Sequence, residues 1–232
     1  MASEKPAVLV AGGTGALGAA VLHTLLESGH PVTATWVVEA ERERVESDFE
    51  GRAGLTLVQA DLMDPEAVDE AVGGVERLGA VVNLVGGFSM PGKVHESDIE
   101  DFDNQLRLNL RPGFLLARAG MPRLIANGGG AYVGVSARPA LQPFAGAAGY
   151  ITATAGVLAF IRALDAEYRG DGVRCNAILP SVIDTAANRR AQPDADYSKW
   201  VPPQQIAKVV AFLVSADSAP TSGAAIPVYG RA

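Results

Sequence analysis

The chain has 232 residues, 48% of them apolar and 19% charged, with a net charge of -7 and one cysteine. That apolar share can fill a sizeable core, and the charge share is too low for a disordered chain. The acidic balance argues against nucleic acid or an anionic membrane as partner, and a lone Cys175 excludes both an internal disulfide framework and a CxxC metal site.

Met1–Lys5 shows no basic segment leading into an apolar one, and no run reaches the roughly eighteen apolar residues of a membrane span. A cytoplasmic protein is therefore expected. His23, His30 and His95 are too scattered to predict a metal site.

Short β-branched runs alternate with helical patterns from end to end, which predicts βα units around a parallel sheet. Ala7–Ala11 reads as a buried strand, followed by a glycine turn and a helix to about Glu27, with Gly29 just past its end. Val32–Trp36 is a second strand, Glu39–Phe49 a charged helix and Leu55–Gln59 a third strand. Asp64 and Pro65 are the N-cap and first residue of the next helix. A fourth strand is expected at Ala80–Val85, a long helix at Ser97–Ala126 and a fifth strand at Ala131–Val135. Tyr150–Arg169 is a helix, with Val157, Phe160, Ile161 and Leu164 on one face. Val173–Leu179, a helix at Pro203–Val214 and a strand at Ala224–Val228 complete the chain. The prediction is one α/β domain over residues 1–232, a doubly wound, mostly parallel seven-stranded Rossmann fold with helices on both faces.

Gly12, Gly15 and Gly18 form G-x-x-G-x-x-G between the first strand and the helix. In that context glycines permit a tight turn and let the backbone approach a pyrophosphate at the helix N-terminus. Asp61, in Gln59-Ala60-Asp61-Leu62, stands where a carboxylate can meet an adenine ring. Asn83-Leu84-Val85-Gly86-Gly87 ends the fourth strand. Ligands of such sheets bind at these carboxyl ends.

This ordered set resembles the short-chain dehydrogenase/reductase family over nearly the whole chain. Ala11-Gly12-Gly13-Thr14-Gly15-Ala16-Leu17-Gly18 looks like its first motif, with glycine spacing nearer the extended and atypical members. Asn83-Leu84-Val85-Gly86 looks like a variant of N-N-A-G. The resemblance implies a catalytic set of Asn109, Ser136 and Tyr150. It implies further cofactor contacts from Pro180, Ile183 and Thr185, in a segment similar to P-G-x-x-x-T. A finer likeness to dihydropteridine-reductase-like members runs through Leu179-Pro180, Asp184-Thr185, Asn188-Arg189, Pro193, Ala195-Asp196 and Trp200.

Two departures stand out. The family motif Y-x-x-x-K reads Tyr150-Ile151-Thr152-Ala153-Thr154, so the lysine that lowers the tyrosine pKa and binds the nicotinamide ribose is absent. Lys93, Arg138 and Arg162 are the cations near these motifs. Eighteen residues past Gly18, where NAD-specific Rossmann domains carry an acid, stands Trp36. Neither NAD nor NADP is singled out; Arg42 and Arg44 could reach a 2′-phosphate, a slight lean to NADP.

Phe88, Met90, Leu141, Phe144, Tyr197 and Trp200 lie in loops after strand ends and predict an apolar or aromatic small-molecule substrate. The expected activity is NAD(P)H-dependent reduction of a carbonyl or conjugated group. The alternatives are a same-fold cyclase or isomerase, or a catalytically impaired nucleotide-binding protein. By resemblance, a homodimer or homotetramer is expected.

Overall fold

The computed structural model describes residues 5–232; Met1–Glu4, on which part of the reading of the N-terminus rests, lie outside the described residues. Seven strands, β1 (Ala7–Ala11), β2 (Val32–Trp36), β3 (Leu55–Gln59), β4 (Leu78–Asn83), β5 (Gly130–Val135), β6 (Val173–Pro180) and β7 (Ala225–Val228), alternate with helices. They pair in parallel in the order β3-β2-β1-β4-β5-β6-β7. The order reverses between β1 and β4, which opens a crevice at the carboxyl ends of these two strands.

The seven α-helices of the described residues are α1 (Ala16–Glu27), α2 (Glu39–Asp48), α3 (Pro65–Gly73), α4 (Ile99–Ala126), α5 (Ala148–Tyr168), α6 (Ala186–Ala191) and α7 (Pro203–Val214). They divide the core into two layers. Leu9, Val81, Tyr132 and Cys175 pack against α3, α4 and α5 on one face, while Val8, Val10, Val82 and Val133 pack against α1 and α7 on the other. Alternation along each strand sends neighbours to opposite layers, so both sets must be apolar and the strands read as unbroken hydrophobic runs. Buried in this core, the Cys175 thiol is pushed up to about 12 by desolvation and is an inert apolar group.

Local signals hold where side chains settle them. Gly29 takes φ +80 just past α1, and Asp64 accepts the Glu66 N–H at 3.0 Å with Pro65 behind it. Strand β4 starts and ends two residues before the expected Ala80–Val85. Asn83 ends it by turning its Oδ1 back to the Val85 N–H at 3.1 Å, which draws that segment out of the ladder. Helix α5 begins at Ala148, ahead of Tyr150, and α6 forms inside a stretch that reads as loop, because Thr185 caps it by accepting the Asn188 N–H.

No helix among the described residues is long and apolar enough to cross a membrane, and no group of three or more His, Cys, Asp or Glu is placed to hold a metal.

Candidate active site

The turn between β1 and α1 is built by its glycines. Gly12 has φ +74, a backbone state that side chains disfavour, and its N–H donates to the buried Thr35 Oγ1 at 3.2 Å. A Cβ on Gly18 would lie 2.3 to 2.5 Å from backbone atoms of Gly12 and Gly13, so this glycine lets the helix start press against the turn. Gly15 is different: a Cβ there would meet only the Gly12 carbonyl, at 3.5 Å. The N–H groups of Ala16, Leu17 and Gly18 open α1 without helical partners, an arrangement whose dipole and donors suit an anion.

Beside this turn lies a cavity of about 350 Å³, whose walls bring together Thr14, Gly15, Trp36, Asp61, Leu62 and Gly86 from four separate strand ends. Asp61 accepts the Met63 N–H at 2.9 Å, which fixes its carboxylate at the rim. Glu41, in the first turn of α2, also lines this space and accepts the buried Thr14 hydroxyl at 3.1 Å. Its sequence signal is only that of an acid in a charged helix, so nothing in the local pattern separates it from Glu39 or Glu43. Arg42 lies 5.5 Å over the Trp36 ring and is held by Glu39 and Glu46, while Arg44 donates to the Thr14 carbonyl. A larger hollow of about 520 Å³ opens at the amino ends of β2 and β3, against Lys5, Glu70 and Arg77. It lies at the end of the sheet opposite to where such folds bind ligands.

Further along the crevice, Asn109 ties α4 to the end of β4. Its Oδ1 accepts the Gly87 N–H at 3.1 Å and its Nδ2 donates to the Gly87 and Gln105 carbonyls at 3.1 and 2.9 Å. A Cβ on Gly86 would sit 2.7 Å from that Oδ1, which accounts for a glycine there. Asn83 is buried, and its amide faces Gly113 of α4. After β6, Ile183 bridges to Val201, and Thr185 commits its oxygen to capping α6. Asp184 and Arg189 pair through two contacts, at 2.6 and 2.8 Å, and hold α6 against this segment.

Tyr150 sits in the first turn of α5 with Phe88 edge-on at 5.0 Å. Burial raises its pKa above the usual 10.0, and no neighbouring cation offsets the rise. Of the three cations near the motifs, Arg138 bonds to Gln142 at 2.7 Å and lies over Tyr229, Lys93 is exposed, and Arg162 is exposed along α5. Thr154, buried, turns its hydroxyl back to the Tyr150 carbonyl at 2.9 Å. The buried Ser136 hydroxyl donates to the Thr154 carbonyl at 2.8 Å.

Phe88, Met90, Leu141 and Phe144 are exposed on the loops around this centre. Tyr197 and Trp200 are not part of that surface: Trp200 is buried and the two rings pack on each other at 4.7 Å.

Residues 6–196 match the family described as short chain dehydrogenase. Among curated proteins the chain is similar to the 2-(R)-hydroxypropyl-CoM dehydrogenase of Xanthobacter autotrophicus, at 31% identity over 96% of each chain. It is 30% identical to the meso-2,3-butanediol dehydrogenase of Serratia marcescens, over 99% of this chain and 94% of that one. Among solved structures, ElxO with NADP bound superposes with a TM-score of 0.90 at 21% identity, covering 97% of this chain and 98% of that one.

Proposed function

The chain belongs to the short-chain dehydrogenase family, and we propose that it is an NAD(P)H-dependent reductase of a carbonyl or conjugated group on an apolar or aromatic small molecule. The observation that carries this reading is Tyr150, a phenol protonated at neutral pH, with burial rather than a cation acting on it and the exposed Phe88 packed against it. Reduction needs a proton donor at neutral pH, and a protonated tyrosine is one; oxidation needs a phenolate, which this environment disfavours.

The residues present fit a dinucleotide. Gly15 leaves space that a side chain would fill, the first turn of α1 offers unpaired N–H groups, and the neighbouring cavity is lined by Trp36, Asp61 and Leu62. When bound, the reduced nicotinamide supplies the hydride. Pro180 and Asn83 end β6 and β4, Ile183 and Thr185 follow β6, and by likeness to the family these four would hold its ring end. Tyr150 gives its hydroxyl proton to the substrate oxygen. Ser136 fixes the α5 backbone beside it and Asn109 holds the Gly86-Gly87 wall in place. Phe88 packs perpendicular to the Tyr150 ring and orients it.

The protein is proposed to work as a homo-oligomer. Phe114 of α4 is 56% exposed and packs at 6.2 Å on Phe160 of α5, an apolar pair on the outer face of the two long helices. Light scattering that finds only a species of 24.0 kDa at working concentration overturns this.

The test of the reading is consumption of NADH or NADPH with a panel of aryl ketones, quinones and conjugated enones. Tyr150→Phe should lower turnover by about 10²-fold or more while nucleotide still binds. No turnover with any panel member, together with tight nucleotide binding, would leave a nucleotide-binding protein without redox activity.

A further inference from the structure

We propose that Glu41 sets the choice of dinucleotide, favouring the one without a 2′-phosphate, from a helix rather than from the strand end where that acid normally stands. This rests on the cofactor reading above.

Rossmann domains that take NAD usually carry an acid about twenty residues after the glycine turn, which accepts hydrogen bonds from the ribose hydroxyls. Position 36 has Trp instead. The structure supplies a carboxylate to the cavity that Trp36 lines by another route. Glu41 lies in the first turn of α2, lines the cavity beside Trp36 and Thr14, and its Oε2 is held by the buried Thr14 hydroxyl at 3.1 Å. That bond links the carboxylate to the glycine turn itself, which the pyrophosphate must approach. Its second oxygen, Oε1, takes no hydrogen bond from a side chain or backbone group among the described residues, and stays free to accept from a ribose hydroxyl.

The charge inventory of the cavity points the same way. The charged side chains lining it are Glu41 and Asp61, both acids, with no lysine or arginine. The nearest arginines on α2 are turned to other work: Arg42 is held by Glu39 and Glu46 over Trp36, and Arg44 donates to the Thr14 carbonyl from an exposed position. A 2′-phosphate would bring nearly two negative charges beside an anchored carboxylate, where the two arginines that touch the wall are already engaged, Arg42 by Glu39 and Glu46 and Arg44 by the Thr14 carbonyl. Ribose hydroxyls, in contrast, are donors matched to it.

Calorimetric titration of the full chain with ADP-ribose and with 2′-phospho-ADP-ribose, at one ionic strength, reads this without turnover. ADP-ribose should bind tighter by about tenfold or more. Glu41→Gln should narrow that ratio by about tenfold, mostly by tightening the phosphorylated ligand, whereas Glu43→Gln on the exposed side of α2 should leave it unchanged. Preference for the phosphorylated ligand in the wild type, or a ratio that Glu41→Gln does not move, overturns the assignment while leaving the cofactor reading standing. Binding of neither ligand overturns both. Glu41→Asp separates the charge from loss of local structure: the preference should persist there, and its loss alongside an intact fold by circular dichroism counts against the proposal.

Discussion

The Ser136 hydroxyl donates to the backbone carbonyl of Thr154 at 2.8 Å, and both side chains are buried. Ser136 thus holds the end of β5 to α5 one turn past Tyr150, with its proton directed at the helix and its lone pairs turned away from it. A substrate carbonyl needs a donor, so Tyr150 must supply it unless the serine hydroxyl rotates.

Ser136→Ala should then cost less than removal of the tyrosine hydroxyl. It removes one buried hydrogen bond, worth about 1 kcal/mol of stability, and should lower kcat/KM by about tenfold. Thermal melts and steady-state kinetics of the two variants side by side check the order. A loss at Ser136→Ala as deep as at Tyr150→Phe would mean that the serine donates directly to the substrate.

The pH profile follows from the Tyr150 environment. Its pKa is raised by burial, so the protonated form that donates in reduction persists from neutral pH to beyond the ordinary tyrosine value of 10.0. Activity that depends on a protonated acid is lost as pH rises through that pKa. The kcat/KM for reduction should therefore be flat on its alkaline side up to at least about pH 9.5, within the range where the protein stays folded. A fall near neutrality would show that a different group is the acid.

Thr154→Lys tests the direction of the chemistry. The substitution places an ammonium one helical turn from Tyr150 and should lower its pKa by about one to three units, each raising the phenolate fraction about tenfold at neutral pH. Oxidation of the product alcohol should gain by that factor. Reduction should change much less, because the neutral phenol already predominates, and its alkaline limb should move to lower pH. Rates in both directions for wild type and variant decide it; equal gains would mean that the lysine acts by binding the ribose.

The glycine turn separates fold from binding at two of its positions. Gly18→Ala puts a Cβ within 2.5 Å of backbone and should destabilise the protein outright. At Gly15 an added Cβ meets only the Gly12 carbonyl, at 3.5 Å, so the fold should survive Gly15→Val while the side chain fills the space in front of the α1 N-terminus. Nucleotide affinity should fall by about 10²-fold in that variant with little change in Tm. Unchanged affinity would place the pyrophosphate elsewhere. Gly12 is a poorer target, because its φ of +74 and its bond to Thr35 make any side chain there a strain on the turn itself.

The amino-acid sequence by itself determined the seven strands, their alternation with helices and the glycine turn. Those signals are local: periodicity 2 or 3.6, a proline at the first residue of α3, and glycines where φ must be positive. It also showed the missing lysine, since Tyr150 and Thr154 are one turn apart on any helix. Only the tertiary structure decided what each side chain does in space. Thr14 and Glu41 are 27 residues apart, and their bond exists because β1 and β2 are neighbours in the sheet. The burial of Trp200 and the turning of Ser136 toward α5 likewise arise from packing between distant segments. Hydrogen bonds and ion pairs act over a few ångströms, and which groups come that close is set by the order of the strands rather than by their order along the chain.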